Sequence, residues 1–346
     1  MRSSTSWDRS NSRPYLRSGL ANPSAPQHYN PLMRGRILLT DYNWFEYLRG
    51  HEPFEEVNFW RPSGKGVPRI PQGTPVLLKL HQPQGGWIVG YGLFARHDIV
   101  PVWLAWEAFQ TGNGAPDFPA MRAQIDEYRR RSGAHETTRA GDYPIGCTIL
   151  SEPVFLDRSA WVRPPTDWPS NVQVGKDYDL DQGEGARVWQ DLLGAATIIR
   201  GGASLSGSLT ATTTRYGQPT IICPRLGQGA FRLAVTEAYG RACAVTREHS
   251  LPALEAAHIR PFADEGGHEV TNGLLLRSDI HRLFDMGYVC VTPDYHFVVS
   301  RALKNDFENG RSYYPLHGQA IGVPQDSAHR PAAAHLEWHM GTRFRQ

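Results

Sequence analysis

Three polar residues in the second half of the chain, His258, Asn272 and His281, have the types and spacing of a small hydrolytic site. Imidazole titrates near pH ~6.5, so a neutral histidine can take a proton from water at neutral pH. Imidazole nitrogen is also a common ligand of divalent metals, and an asparagine amide can hold a loop by hydrogen bonds. Two histidines and an asparagine could therefore activate a water and bind a metal if the fold brings them together.

The residues around these three predict a strand, a loop, a second strand and a short helix, over 254–259, 263–271, 274–276 and 279–285. Pro261 ends the first apolar run, and the Gly266-Gly267 pair marks the loop. Ser278 is the expected helix N-cap, and Gly287 lies just beyond the helix end. This order puts the first histidine at the end of a strand, the asparagine in the loop and the second histidine on the helix, so that one site can hold all three.

In this frame the chain resembles the HNH, or ββα-metal, nuclease motif over about residues 223–303. The specific part is Ala-Ala-His-Ile at 256–259, followed by Asn-Gly-Leu-Leu-Leu from Asn272 and by Asp-Ile-His-Arg-Leu-Phe-Asp around His281. The resemblance implies a ββα-metal fold and hydrolysis of a nucleic-acid phosphodiester with one divalent metal.

The resemblance also implies a role for each of the three residues. His258 is the expected general base, which takes the proton of the attacking water. His281 is the expected metal ligand, and the metal would bind the scissile phosphate and the leaving oxygen. Asn272 would hold the loop and orient His258 by hydrogen bonding, without taking part in the chemistry itself.

One position departs from the family pattern, because Ala257 stands where many members carry Asp or His as a second metal ligand. Asp285 lies four residues after His281 on the same helix face and is the main candidate to replace it, unless it only bonds a backbone amide or an arginine. Glu255 is a third candidate, although strand alternation points it to the face opposite His258. With so few protein ligands, the expected metal is Mg or Mn, with Ni or Co as alternatives.

The composition indicates a two-domain protein of ordinary polarity. The chain has 346 residues, enough for two cores, and a formal net charge of +2, so nucleic-acid binding would come from local patches. No apolar run approaches membrane-spanning length, and the N-terminus lacks an apolar signal core. We therefore expect a cytoplasmic protein with no membrane partner.

The cysteines Cys147, Cys223, Cys243 and Cys290 are too widely spaced for a zinc ribbon or a disulfide framework. Cys243 stands where some HNH proteins have the first half of a zinc-binding Cys-x-x-Cys, but Thr246 takes the second place. We therefore expect no structural zinc.

The residue composition and the strand and helix patterns along the chain predict an α+β protein in four segments. Residues 1–33 are rich in Ser, Asn, Pro and Arg and should form a disordered arm. Residues 34–190 carry many short strand patterns and a few helices, which indicates a small mixed β-barrel with helices. Residues 191–222 should form a flexible linker because they are rich in Gly, Ser, Thr and Ala, and residues 223–346 hold the nuclease domain.

The N-terminal region, residues 34–180, resembles the PUA-like superfamily, whose SRA and EVE members read modified bases. The resemblance rests on Asn-Phe-Trp-Arg-Pro-Ser at 58–63, Gly-Thr-Pro-Val-Leu-Leu-Lys-Leu at 73–80, Trp-Ile-Val-Gly-Tyr-Gly-Leu-Phe at 87–94 and Ile-Gly-Cys-Thr-Ile-Leu at 145–150. It implies a base pocket near the first loops of the barrel, lined by Asn58 and Trp60 with Trp106 behind them. The alternative is that these large rings simply fill the core.

Together the two resemblances predict a modification-dependent restriction endonuclease that cuts double-stranded DNA bearing modified cytosine. An HNH site contacts mainly the DNA backbone, so base discrimination would come from the N-terminal domain. Arg225 and Arg232 are candidates to grip phosphates beside the cleft, with solvated surface arginines as the alternative. A double-strand break needs two active sites or two successive nicks, so a homodimer would fit this function.

Two other functions fit the sequence. The HNH fold could be the scaffold of a non-catalytic nucleic-acid-binding protein, which the missing ligand at Ala257 keeps open. The N-terminal domain of an active nuclease could instead bind a protein or RNA. Plasmid cleavage with Mg or Mn would exclude the first alternative, and a comparison of unmodified with modified DNA would separate the second.

Overall fold

The N-terminal half is built on one sheet. The structure is a computed structural model and describes residues 33–64, 70–131, 143–172, 174–199, 227–308 and 310–345. The strands of the sheet are β1 (Arg34–Thr40), β2 (Glu56–Arg61), β3 (Pro75–Leu80), β4 (Ile88–Pro101), β5 (Pro144–Phe155) and β6 (Gly175–Asp179). Their order is β2-β5-β4-β3-β1-β6, and β1 runs parallel to β3 while the other neighbours are antiparallel.

The sheet is open in the described residues, which corrects the closed barrel predicted from the sequence. Strand β2 pairs only with β5 at one edge, and β6 pairs only with β1 at the other. Strand β6 pairs with β1 from Gly175 opposite Leu38 to Asp179 opposite Arg34, and no strand of the described segments joins the two edges. Sequence patterns identify strands but not the pairing between the first and last of them, which decides closure.

Strand β5 continues through an irregularity in its pairing. Its pairing with β4 shifts register near Ser151, and Glu152 has a positive φ of 48°. A bulge of this kind bends a strand and interrupts its alternation. The interruption therefore looks like a strand end in the sequence.

Helices pack on this sheet: α1 (Tyr42–Arg49), α2 (Val102–Phe109), α3 (Phe118–Arg131) and α4 (Gly183–Ile199). The N-cap of α1 is Asp41, whose side chain accepts from the backbone N–H of Trp44. Helix α1 buries Trp44, Phe45 and Leu48 in the core of the sheet.

Helix α5 (Gln228–Ala238) belongs to two cores at once. Ala230 and Leu233, three residues apart, pack with the apolar core of the sheet. Phe231 and Val235, four residues apart, pack with the core of the C-terminal region. These spacings give the helix two apolar faces, one for each core. Residues 32–346 make up one compact unit.

A carboxylate from β2 caps the start of α5. Glu56 Oε1 accepts from the N–H groups of Gly229 at 2.6 Å and Ala230 at 3.1 Å, and Oε2 accepts from Gly227 at 3.1 Å. The free N–H groups of a helix start favour an anion in this position. Burial raises the pKa of the Glu56 carboxyl, and these hydrogen bonds oppose the rise.

The C-terminal region begins with a two-stranded ladder and a helix: β7 (Leu254–His258), β8 (Gly273–Arg277) and α6 (Ser278–Asp285). A second ladder and two helices follow: β9 (Val289–Val291), β10 (Phe297–Val299), α7 (Ala302–Phe307) and α8 (Ala333–Thr342). The predicted strand, loop, strand and helix around the three polar residues are confirmed, with boundaries that differ by one residue at most ends.

Two predicted segments lie largely outside the described residues. The arm at 1–33 is described only at residue 33, and the linker at 191–222 only up to residue 199. Residues 191–199 are the end of helix α4, so the helix extends into the predicted linker. Among the described helices, none is long and apolar enough to cross a membrane.

Candidate active site

The β7–β8 ladder sets the positions of the three predicted site residues. His258, the last residue of β7, pairs with Gly273 at the start of β8, and the N–H of Ile259 donates to the carbonyl of Asn272 at 2.9 Å. Gly273 has no room for a side chain, because a Cβ there would lie 2.4 Å from Val235 and 3.0 Å from Phe231 of helix α5. The backbone of the ladder therefore packs directly against α5 at Gly273.

Asn272 is fully buried and holds the loop between the two strands. Its Oδ1 accepts from the N–H of Arg260 at 2.9 Å, and its Nδ2 donates to the carbonyls of Arg260 and Gly267, both at 2.8 Å. All three bonds go to loop backbone, and none goes to His258. Asn272 therefore holds the loop, as expected, and any influence on the orientation of His258 passes through the loop.

The nearest polar partner of His258 is another histidine. His258 Nε2 lies 2.9 Å from Nδ1 of His268, which is carried by the loop. On its other side, the His258 ring stacks on Phe231 of α5, with centroids 3.9 Å apart and an interplanar angle of 14°. Burial, together with the nearby His268 and His281, lowers the pKa of His258 to about 4. His258 is therefore neutral throughout the neutral pH range.

His281 lies on α6 between two carboxylates. Its Nδ1 is 2.6 Å from Glu255 Oε2, and its Nε2 is 3.4 Å from Asp285 Oδ2. A carboxylate only accepts, so Nδ1 donates to Glu255, and in the neutral form of the ring Nε2 keeps its lone pair. Burial raises the pKa of the Asp285 carboxyl, and the neighbouring His281 opposes this rise.

This donor set fits a divalent metal. His281 Nε2 and Asp285 Oδ2 offer one imidazole nitrogen and one carboxylate oxygen at a separation that a single cation can bridge. The Glu255 carboxylate on the opposite ring nitrogen is the usual outer partner of a metal-binding histidine. No group of three or more His, Cys, Asp or Glu is arranged around one point in the described part of the chain. Such a metal would therefore rely on water for its remaining ligands.

Ala257 is fully buried against the core of the C-terminal region. Its neighbours along the strand, Ala256 and His258, line a groove instead. Ala257 lies on the same strand face as Glu255 and offers no donor atom, so a second protein ligand would come from another residue, such as Asp285.

Two adjoining grooves meet at His281 and Asp285. The smaller has a volume of about 320 Å³ and includes His258, and the larger has a volume of about 620 Å³ and includes Glu255. The base candidate and the metal-ligand candidates therefore share one open surface. The side chain of Phe262, 70% exposed, forms part of the rim of the smaller groove.

The predicted base-pocket residues lie mainly in the N-terminal core. Asn58 is fully buried and donates from Nδ2 to Asn113 Oδ1 at 2.9 Å, and Trp60 is 9% exposed and donates from its ring to the Asn113 carbonyl at 3.0 Å. Trp106 is partly buried beside Phe118. Core packing explains these positions, and a role in base binding stays a prediction.

Of the two predicted phosphate-binding arginines, only Arg232 is described, and it does not line either groove. Arg232 Nη2 lies 2.6 Å from Glu107 of helix α2, so this arginine joins α5 to the N-terminal region. Arg225 lies outside the described residues. A phosphate role for either stays a prediction.

Two residues have roles that the sequence did not indicate. The sequence pattern gives His268 no function, and it offers Glu255 only as a third candidate for the second metal ligand. Glu255 is three residues before His258, so strand alternation puts the two side chains on opposite faces. The face of Glu255 is the one that meets helix α6 and His281. For His268 the signal was the Gly266-Gly267 pair, which allows a tight return of the loop.

Cys243 lies in the core of the C-terminal region, and its Sγ accepts from the backbone N–H groups of Thr246 at 3.5 Å and Arg277 at 3.3 Å. The thiol therefore links the segment before β7 to the end of β8.

One protein family matches part of this chain. Residues 243–292 match the family described as HNH endonuclease, which supports a nuclease. The matched segment contains His258, His268, Asn272, His281 and Asp285.

Two solved structures are also similar to this chain. One is a mutant of the ASCH protein ZmASCH from Zymomonas mobilis, with a TM-score of 0.27 and 11% identity, covering 44% of this chain and 94% of that one. The other is described as the modification dependent TagI restriction endonuclease, with a TM-score of 0.26 and 14% identity, covering 84% of this chain and 76% of that one. No curated protein sequence matches this chain.

Proposed function

We propose that this protein is a metal-dependent DNA endonuclease that cuts double-stranded DNA carrying modified cytosine. The observation that carries the nuclease part is the groove in which a neutral His258 lies beside His281 and Asp285, within the segment that matches HNH endonucleases. Hydrolysis of a phosphodiester needs a base for the water, a counter-charge for the phosphate and help for the leaving oxygen. In the groove His258 could serve as the base, and a metal held by His281 and Asp285 would serve the phosphate and the leaving oxygen.

In the proposed reaction, His258 takes the proton of the attacking water. His281 Nε2 and Asp285 would hold the divalent metal, which supplies positive charge to the phosphate and the leaving oxygen when bound. Glu255 keeps His281 in the tautomer whose Nε2 lone pair points away from the strand. The elements β7 and α6 carry these groups on regular backbone, which favours precise positions.

The recognition part of the proposal assigns base reading to the N-terminal region. It is supported by the PUA-like order of the sequence motifs and by one buried atom, Asn58 Oδ1, which has no hydrogen-bond partner. A buried acceptor without a partner is costly, and the amino group of a base extruded from a duplex could donate to it. Entry of a base beside Asn58 would require Trp60 or its neighbours to move.

Cleavage assays test the two parts of this proposal separately. Supercoiled plasmid with Mg or Mn should be nicked or cut, and a chelator should abolish the reaction. Matched duplexes with unmodified, methylated, hydroxymethylated and glucosylated cytosine should then differ in cleavage by about tenfold or more, because base stacking contributes ~1–3 kcal/mol. Cutting of all duplexes at one rate would leave the nuclease and contradict the recognition of modified cytosine.

Subunit number is the last part of the proposal. If the protein acts as a homodimer, linear product should form without a long-lived nicked intermediate, and sedimentation should give twice the monomer mass. A monomer that accumulates nicked plasmid would contradict the dimer and leave the cleavage chemistry intact.

A further inference from the structure

We infer that His268 is a positioning residue for His258, whose ring it orients and whose tautomer it fixes by accepting a hydrogen bond from Nε2. This inference deepens the proposed function and rests on it, since it concerns how the proposed base is prepared for proton transfer. The observation that carries it is the 2.9 Å contact between His258 Nε2 and His268 Nδ1.

The tautomers follow from this contact. A neutral imidazole has one N–H and one lone pair, so one ring must donate and the other accept. If His268 donated, the proton of His258 would be on Nδ1, and no lone pair of His258 would remain for a water. If His258 donates from Nε2, its Nδ1 keeps the lone pair. Only the second arrangement leaves His258 able to act as a base.

The free nitrogen of His258 is placed for this task. Among the described residues Nδ1 has no hydrogen-bond partner, and it is not one of the buried polar atoms that lack one. His258 itself lines the groove that also contains His281 and Asp285. The stacked ring of Phe231 restricts rotation of the imidazole from the other side.

The loop gives His268 a fixed position. Asn272 Nδ2 donates to the carbonyl of Gly267, the residue immediately before His268. The ring of Phe262 stacks parallel to His268, with centroids 5.5 Å apart and an interplanar angle of 6°. Asn272 therefore orients His258 indirectly, through the loop backbone and His268.

The proton balance is complete without another reagent. The water gives one proton to His258 Nδ1 as its oxygen forms a bond to phosphorus, and the bond from phosphorus to the leaving oxygen breaks with its electron pair going to that oxygen. The leaving oxygen then takes a proton from solvent water, and His258 later returns its extra proton to solvent. His258 becomes an imidazolium with hydrogen on both nitrogens. Its Nε2–H continues to donate to the lone pair of His268 Nδ1, so the new charge has an acceptor already in place.

Three substitutions of His268 separate an acceptor from a merely structural side chain. Asn and Asp each place an oxygen where Nδ1 lies, whereas Leu places no acceptor there. We expect His268→Leu to lower kcat by roughly 10- to 100-fold with KM within about twofold, and His268→Asn and His268→Asp to retain most of the activity. His268→Asp should also move the acidic limb of the pH–rate profile to higher pH, because a carboxylate favours the imidazolium.

The control is His249→Leu, which removes an exposed histidine of the same region and should leave kcat unchanged. Full activity of a folded His268→Leu protein would overturn the inference. So would an equal loss in the Leu, Asn and Asp variants, since an acceptor at this position would then make no difference. Thermal unfolding of each variant identifies any loss of folding.

A measurement on the free protein keeps this inference distinct from the proposed function. Nitrogen-15 NMR of histidine-labelled protein reports which ring nitrogen of His258 carries hydrogen, whether or not the protein cuts DNA. We expect hydrogen on Nε2 in the wild type and a mixture of tautomers in His268→Leu. Hydrogen on Nδ1 in the wild type would overturn the role of His268, whereas absence of cleavage with hydrogen on Nε2 would contradict only the proposed function.

Discussion

At the scale of single residues, the site depends on pairs of side chains in which one group sets the state of another. Glu255 fixes the tautomer of His281, just as we infer for His268 and His258. In both pairs the second residue has no expected contact with the substrate. Such partners commonly matter for metal affinity and rate almost as much as the groups they orient.

Glu255 gives a direct test of this view. Glu255→Ala should raise the metal concentration for half-maximal cleavage by roughly 10- to 100-fold, because His281 loses the acceptor that orients it. Glu255→Gln keeps an acceptor oxygen and should have a smaller effect. A metal titration of cleavage measures both, with Glu265→Gln, whose side chain is 90% exposed, as the control. An unchanged metal requirement in Glu255→Ala would remove Glu255 from the site.

At the scale of elements, the loop between β7 and β8 connects Asn272 to the catalytic groove. Its return is tight at Gly266, where a Cβ would lie 1.8 Å from the carbonyl oxygen of Arg260 and 2.9 Å from Asn272 Nδ2. The next residue, Gly267, presents its carbonyl to the same amide. The loop therefore has little freedom to accept a side chain at this turn.

Gly266→Ala should consequently damage both the fold of the loop and cleavage. We expect the free energy of unfolding to fall by about 1–3 kcal/mol and kcat to fall as His268 leaves its place. Chemical denaturation and single-turnover cleavage measure the two effects. Gly341→Ala serves as the control, because a Cβ there meets no atom within 4 Å. Equal stability of the two variants would show that the loop adapts more easily than its contacts indicate.

The elements around His258 could be predicted closely from the sequence, because apolar runs, turn residues and a helix N-terminus follow one another in a distinctive order. The roles of His268 and Glu255 could not, since they depend on the path of an irregular loop and on which face of a strand meets a helix. Likewise, a tryptophan such as Trp60 can either stack on a ligand or fill a core. The structure shows that Trp60 packs in the core and donates to the Asn113 carbonyl.

At the scale of the whole molecule, α5 couples the N-terminal sheet to the nuclease region. One face of the helix packs in each core, Glu56 caps its start, and Arg232 pairs with Glu107 of α2. The same helix carries Phe231, which stacks on His258. The packing that joins the two regions therefore also contacts the proposed base.

Glu56 tests this coupling. Glu56→Ala removes the acceptor of three backbone N–H groups and should lower the free energy of unfolding by roughly 1–3 kcal/mol. Denaturant unfolding measures the change, and Glu55→Ala, at an exposed neighbour, is the control. If both variants had the stability of the wild type, the capping of α5 by Glu56 would contribute nothing to the packing of the N-terminal sheet with the C-terminal region.

The whole molecule should also lose stability in mild acid. Burial lowers the pKa of His97, His258 and His339 to about 4. In the unfolded chain these rings bind protons as the pH falls through ~6.5, whereas in the folded protein they do so only near 4. The unfolded state therefore holds more protons between these values, and the free energy of unfolding falls as pH is lowered from about 6.5 to about 4.

His339→Gln should make this pH dependence shallower. The Nε2 of His339 donates to the carbonyl of Phe284 at 3.1 Å, a bond that glutamine can also make without binding a proton. Urea unfolding at several pH values gives the slope for both proteins. His329→Gln, at an exposed position, should leave the slope unchanged. Identical slopes for His339→Gln and the wild type would contradict the buried neutral state of this ring.

The most direct test of the central claim is single-turnover cleavage of plasmid DNA by His258→Ala, with Mg or Mn and enzyme in excess. If His258 is the general base, the cleavage rate should fall by about 10²–10⁴-fold while DNA affinity stays close to that of the wild type. The exposed-histidine variant His249→Ala should cut at the wild-type rate. Cleavage by a folded His258→Ala protein at the wild-type rate would contradict the assignment of His258 and the mechanism built on it.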